Sequence, residues 1–185
     1  MLFIDEEILV MAILTQMDSL RKKTNDPKEI KNFLNARGII FEQWQACFPL
    51  NDSDSEETIL KAYDHELKPY MKKNGYLSAD VISVHKKTQN VEAIRAKFLS
   101  EHTHSEDEVR FFVDGAGQFF FHFQNTGEVF GLLCERGDFI SVPKGILHWF
   151  DLAPNYHVKA IRVFQTQEGW VANYTNSGIE KKYNL

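Results

Sequence analysis

The sequence predicts a mainly β protein with flanking helices, of the α+β class, whose strands form a closed antiparallel barrel or jelly roll. Three observations carry this. From Glu101 onward the chain is a series of short apolar or aromatic runs broken by glycine-bearing turns. The first half instead shows capped segments with helical periodicity. With 185 residues, 43% hydrophobic and 15 Phe, there is material for an aromatic-rich core in one domain. That domain is expected to span residues 1–185, with a helix-rich part over about 11–100 and barrel strands over about 101–170.

Asp26-Pro27-Lys28-Glu29 starts a helix. Asp26 is the cap, Pro27 suits the first helical position, and Glu29 is placed to reach back to the cap amide. Gly38 stops it, supplying a left-handed residue, and 39–44 reads as a strand. A second helix starts near Ser55, with Ile59, Leu60, Tyr63, Leu67, Tyr70 and Met71 at helical spacing. Pro69 is expected to kink or interrupt it, and Asn74-Gly75 to end it. Residues 81–85 read as a short strand and 91–99 as a third helix, with Ile94 and Phe98 on one side. The barrel strands are then 109–113, 118–124, 129–134, 139–142, 148–152 and 158–164. Turns are expected at Gly115, Gly117, Gly127, Gly137 and Gly145.

A formal charge of −5 gives no electrostatic footprint for nucleic acid or anionic membrane. The N-terminal residues 1–10 are apolar but interrupted by Asp5, Glu6 and Glu7, unlike a signal peptide, and the apolar run 8–14 is too short to span a bilayer. Cys47 and Cys134 are far apart and form no disulfide framework, which suits reduced thiols in the cytoplasm. No repeat or low-complexity tract interrupts the chain.

Chemistry concentrates in His102-Thr103-His104-Ser105-Glu106-Asp107-Glu108. In an extended strand, positions i and i+2 face the same way, so His102 and His104 project together. Glu108 follows with a carboxylate. If it opens the next strand, Arg110 and Phe112 share its inward face, while Val109, Phe111 and Val113 face the other layer. The segment from Gly137 to His148 passes through Pro143-Lys144-Gly145 and returns His148 toward the same cavity. Three neutral imidazoles and one carboxylate suit iron(II), nickel, manganese or zinc. His65, His85, His122 and His157 belong to no motif and read as structural or solvated.

These two segments resemble the paired motifs of the cupins: His-x-His, three residues, Glu, six residues, Gly115, and then Gly137, five residues, Pro-x-Gly, two residues, His148. Ala96 and Leu152 stand where the cupin pattern has Gly and Asn, and neither is a ligand position. Within the cupins, 97–99, 101–104, 106–113, 140–143, His148-Trp149-Phe150-Asp151, 160–162 and Glu168-Gly169-Trp170 are similar to the acireductone dioxygenases. So are 34–38 and 41–46, so the resemblance runs from about Asp26 to Trp170.

The resemblance implies a metal-dependent dioxygenase of methionine salvage. Its substrates would be the acireductone 1,2-dihydroxy-3-keto-5-methylthiopentene and O2. With Fe2+, one per chain, the products would be formate and 2-keto-4-methylthiobutyrate. With Ni2+ they would be carbon monoxide, formate and 3-methylthiopropionate. Four protein ligands leave two positions of an octahedral ion for a bidentate enediolate. A buried dianion needs a compensating cation, for which Arg110 is the first candidate and Arg162 the second. Arg110 has an alternative reading as the buried ion-pair partner of Glu108. Phe98, Phe150 and Trp170 are candidates to hold the methylthio tail, or are core. Glu101 and Asp107 are candidates to orient the ligand imidazoles, or are solvated loop carboxylates. A monomer is expected, without nucleic-acid or membrane partners. Two rivals remain: another metal-dependent cupin enzyme, such as a different dioxygenase or an isomerase, and a non-catalytic ligand-binding cupin. The run 106–113 and His148-Trp149-Phe150-Asp151 are what a generic cupin would not need.

Overall fold

The computed structural model describes residues 11–18, 20–152, 154–166 and 170–183. Residues 1–10, and Glu168 and Gly169 of the last resembling segment, lie outside the described residues. The elements in order are β1 (Ile13–Gln16), β2 (Lys23–Thr24), α1 (Pro27–Asn35), β3 (Ile40–Gln43), α2 (Glu56–Ala62), α3 (Asp64–Asn74), β4 (Ser78–Val84) and α4 (Val91–Leu99). They continue with β5 (His102–Thr103), β6 (Glu108–Phe123), β7 (Glu128–Glu135), β8 (Asp138–Val142), β9 (Leu147–Asp151), β10 (Val158–Phe164) and β11 (Asn173–Tyr174), and close on a 3₁₀ turn (Ile179–Lys182).

Asp26 caps α1 by accepting the N–H groups of Lys28 at 2.8 Å and Glu29 at 3.1 Å. The Asp26 amide itself donates to Thr24 Oγ1, where the sequence reading had Glu29. Ser55 caps α2 through Thr58 N–H. The expected interruption at Pro69 falls earlier, at Tyr63 (φ −109°, ψ 12°), and Pro69 lies inside α3. The Tyr63 ring is fully buried, edge-on to Phe48 and Phe111, and this anchorage fixes the chain where the two helices part. The short pairs β1–β2 and β5–β11 carry little alternation, and of their residues only His102 stands out in the sequence.

The strands form two connected sheets rather than a closed barrel: among the described residues the hydrogen-bonded ladder does not close. The expected pair of strands at 109–113 and 118–124 is one bent strand, β6, belonging to both sheets. Its first half pairs with β8 and β10, and its second half with β7 and β9. Gly115 sits at the bend with φ +68°, and a Cβ there would overlap the backbone of His157. The chain therefore crosses from sheet to sheet at Gly115 and Gly117 without reversing. Gly117 serves a second purpose, since a Cβ there would overlap the Phe150 ring.

Alternation along β6 divides the core. Phe112, Phe119 and Phe121 join Ile140, Val142, Phe150 and Ala160 between the sheets. Val109, Phe111 and Val113 join Phe139, Ile161 and Val163 beneath α2 and α3, packed on Ile59, Tyr63 and Leu67. Phe120, Val129 and Trp149 make a third cluster outside, covered in part by Ile179 and Tyr183 near the C-terminus. Burying these side chains contributes about 1.5–3 kcal/mol each, before the entropy cost of ordering them.

Asp138, the first residue of β8, is fully buried, accepting Glu135 N–H at 2.8 Å and approached by the Gln43 amide at 3.5 Å. Burial pushes its carboxyl up to about 7. The folded state thus binds this proton more tightly than the unfolded chain. The associated stability is complete below the ordinary carboxylate value of about 4 and is lost as pH rises through about 7. Asp138→Asn, uncharged throughout, is expected to gain on the wild type between pH 5 and pH 8. Thermal unfolding at both values should show a variant-minus-wild-type Tm difference about 4 °C or more higher at pH 8. An unchanged difference would mean that the carboxyl titrates normally.

Candidate metal centre

The two sheets bring four marked side chains together. His102 in β5 and His148 in β9 are direct cross-strand partners, and Glu108 opens β6. His104 sits in the loop between. That loop is clipped to the 143–145 turn by Gly145 N–H to His104 O (3.0 Å) and by Lys144 N–H to Asp107 Oδ1 (2.9 Å). Asp107 thus holds the turn that leads to His148 and does not touch a ligand ring. The ring centroids lie 4.5 to 5.2 Å apart, all four side chains are buried, and one ligating atom from each lies within 4.8 Å of the others.

Each imidazole is held from behind by a backbone carbonyl. His102 Nδ1 is 2.7 Å from Ser100 O, His148 Nδ1 2.8 Å from Ile146 O, and His104 Nδ1 3.0 Å from Val171 O. A carbonyl only accepts, so each Nδ1 carries the hydrogen and each Nε2 is left for the cavity. There, Glu108 Oε2 lies 2.8 Å from His148 Nε2 and 3.0 Å from His104 Nε2. A carboxylate oxygen facing two neutral imidazole lone pairs at these distances is repulsive unless a cation or proton lies among them. Three nitrogens and one carboxylate oxygen fit a divalent first-row metal.

The electrostatics agree. Burial, then the neighbouring His148, pushes His102 down to about 4, so that ring is neutral near pH 7. Burial alone would raise Glu108, but Arg110, His148 and His104 hold its carboxyl well below the usual range. Burial would also lower His104, and the Glu108 carboxylate overrides it to raise that ring.

Arg110 Nε is 2.6 Å from Glu108 Oε1, a charge contact whose angle is not that of an aligned hydrogen bond. Burial lowers the guanidinium, and Glu108 opposes this. The guanidinium carbon lies 4.4 Å from the Phe150 centroid, 5.3 Å from Phe119, 5.6 Å from Trp170 and 5.9 Å from Phe98. Arg110 Nη1 and Trp170 Nε1 are buried donors with no hydrogen-bond partner. Phe98, Phe150 and Trp170 therefore do gather around Arg110, together with Phe119, which in the sequence is one more apolar residue of a strand. Arg162 is held by Asp80 on β4, Nε to Oδ1 at 2.7 Å and Nη2 to Oδ2 at 2.5 Å, with Trp170 5.6 Å away. Glu101 binds no ligand ring. It accepts from His122, Thr175 and Ser177. The Ser100 and Ile146 carbonyls follow from local i−2 geometry, but Val171 lies 67 positions from His104 and gave no signal.

A second grouping, Asp52, Asp114 and His157, is more open to solvent, and its His157 Nε2 already bonds Asp114 Oδ2 at 2.9 Å.

Comparison with known proteins agrees with the site. The model of the ARD/ARD′ family matches residues 7–172. An acireductone dioxygenase of Picosynechococcus sp. is 51% identical over 173 residues, covering 94% of this chain and 97% of the relative. One from Cronobacter sakazakii is 48% identical over 161 residues, covering 87% and 88%. A solved acireductone dioxygenase from Bacillus anthracis, with a cadmium ion in its active center, superposes with a TM-score of 0.81 at 34% identity, covering 89% of this chain and 98% of that one.

His104→Ala and His148→Ala should each lower metal retention by about 100-fold or more, whereas His157→Ala should leave it unchanged. Metal content per chain after dialysis against a weak chelator checks this. A full complement in either ligand variant, or its loss in His157→Ala, would contradict the assignment.

Proposed function

Since the chain belongs to the ARD/ARD′ family of acireductone dioxygenases, we propose that it cleaves 1,2-dihydroxy-3-keto-5-methylthiopentene with O2 in methionine salvage. The site is His102, His104, Glu108 and His148, holding one Fe2+ per chain, with Ni2+ as an alternative. The observation that carries this reading is that ligating atoms of three imidazoles and Glu108 lie within 4.8 Å of one another, with His104 Nε2 and His148 Nε2 directly against Glu108 Oε2 and each ring fixed by a carbonyl behind it. When bound, the metal supplies a Lewis acid and template for an enediolate.

The remaining work falls to the protein. A divalent cation, the Glu108 carboxylate and the Arg110 guanidinium leave two net positive charges in a buried cavity, which an enediol dianion neutralises. Arg110 serves as the catalytic counter-charge. Its Nε stays with Glu108 while Nη1 offers an unspent donor to the substrate anion. The Glu108 contact and the proposed counter-charge role are compatible in one geometry. The rings of Phe98, Phe119, Phe150 and Trp170 keep the guanidinium in place, exclude water and suit a thioether tail. Arg162, occupied by Asp80, steadies Trp170 and leaves Arg110 as the nearer cation. Among the described residues no helix is long and apolar enough to cross a membrane. Free Cys47 and Cys134 fit a reducing compartment, which supports a cytoplasmic location.

Metal-free protein reconstituted separately with each metal tests the reaction. Iron is expected to give the keto acid and formate, and nickel to release carbon monoxide with formate and 3-methylthiopropionate. No oxygen consumption with either metal and authentic substrate would overturn the dioxygenase reading. Identical products from two active forms would overturn metal control of the cleavage. Arg110→Ala should keep its metal yet lose about 100-fold or more in kcat. Arg110→Lys should recover part of that activity.

A further inference from the structure

Glu101 precedes the ligand His102, and its side chain turns to the opposite face of β5. The carboxylate is fully buried. Oε1 accepts His122 Nδ1–H at 2.6 Å, and Oε2 accepts the hydroxyls of Thr175 at 2.6 Å and Ser177 at 2.7 Å. The Glu101 carbonyl also accepts Thr175 N–H at 3.1 Å. Two of the three side-chain donors thus come from the C-terminal segment.

That segment, residues 170–183, has little else to hold it beside the site. β11 pairs with β5 over two residues only, and Val171 and Tyr174 are exposed, at 62% and 47%. Tyr174 OH donates to Lys97 O at 3.0 Å, and Ile179 and Tyr183 reach the outer cluster. Yet the segment bears on the metal centre in three places. Val171 O fixes His104 Nδ1, the Trp170 ring lies 5.9 Å from His104 and against Arg110, and the Tyr174 ring meets the edge of His102 at 5.8 Å.

We propose that Glu101 is a positioning residue that buckles residues 170–177 across the metal centre, so that the C-terminal segment acts as a strap fixing His104 and closing the cavity. While Glu101 stays buried, losing the two strap hydroxyls would leave its Oε2 unpaired in the interior, whereas the exposed two-residue ladder is readily exchanged for water. The strap therefore stays down while the Glu101 knot holds. Without it, His104 loses the carbonyl that sets its tautomer, and Trp170 keeps only its contacts with Phe164, Arg110 and Arg162. The inference rests on the metal reading of the four side chains.

The test compares wild type, Glu101→Gln and the double variant Thr175→Val/Ser177→Ala, each loaded with nickel. The double variant leaves Glu101 and His122 in place, so it remains informative if Glu101→Gln fails to fold. Nickel transfer to EDTA is followed by absorbance, and amide hydrogen exchange is followed by mass spectrometry. Release should be about 10-fold or more faster in the double variant. Exchange protection should fall over 173–177 while amides of β6 keep theirs. Wild-type release with wild-type protection over 173–177 would overturn the proposal. Equal loss of protection in β6 would overturn it too, because it would mean a general structural role. Neither readout uses the substrate, so a wild type that holds nickel under a protected strap but consumes no oxygen would count against the dioxygenase reading alone.

Discussion

Three backbone carbonyls set the chemistry of this molecule. Ser100, Ile146 and Val171 each take the Nδ1 hydrogen of one imidazole, which commits every Nε2 lone pair to the same small volume beside Glu108. In water such a cluster would disperse, because lone pairs and a carboxylate repel one another. In the interior the rings cannot turn away without leaving a buried N–H unpaired, at about 1–3 kcal/mol. The fold thus maintains a site whose repulsion a divalent cation relieves. The same confinement holds Arg110 against Glu108.

β6 is what makes this confinement possible. One strand of 16 residues supplies Glu108 and Arg110 at its start and, past the bend at Gly115, Phe119 in the wall and Phe121 opposite His148. Because its two halves belong to different sheets, Glu108 and Arg110 are fixed relative to the histidines of β5 and β9 by covalent chain as well as by packing. Gly117 lets Phe150 lie close to β6, and Phe150 in turn lies over the guanidinium. A cupin-type architecture thus serves the site by joining two sheets along one strand, with no closed ladder among the described residues.

Much of this was legible in the sequence. Caps at Asp26 and Ser55, the left-handed Gly38 and Gly75, and the alternation along β6 are local signals and placed their elements within a residue or two. Both metal motifs are short-range too, so His102, His104, Glu108 and His148 could be singled out together. What escaped was long-range or two-faced. Gly115 reads as a turn in any local window, and only the packing of His157 against it makes it a bend within a strand. Arg162 reads as a free inward cation until β4 delivers Asp80 opposite it. Glu101 beside His102 suggests a partner for the ligands, yet strand alternation turns it to the other face, where the distant Thr175 and Ser177 meet it.

Three imidazoles, each through Nε2, and the Glu108 carboxylate are proposed to hold the metal. X-ray absorption at the metal edge of nickel-loaded protein tests it most directly, since outer-ring scattering counts imidazoles. The arrangement predicts three imidazole nitrogens and carboxylate oxygen at about 2.0–2.2 Å, falling to two imidazoles in residual metal-bound His148→Ala. Two or fewer imidazoles in the wild type, or a sulfur ligand from Cys134, would contradict it.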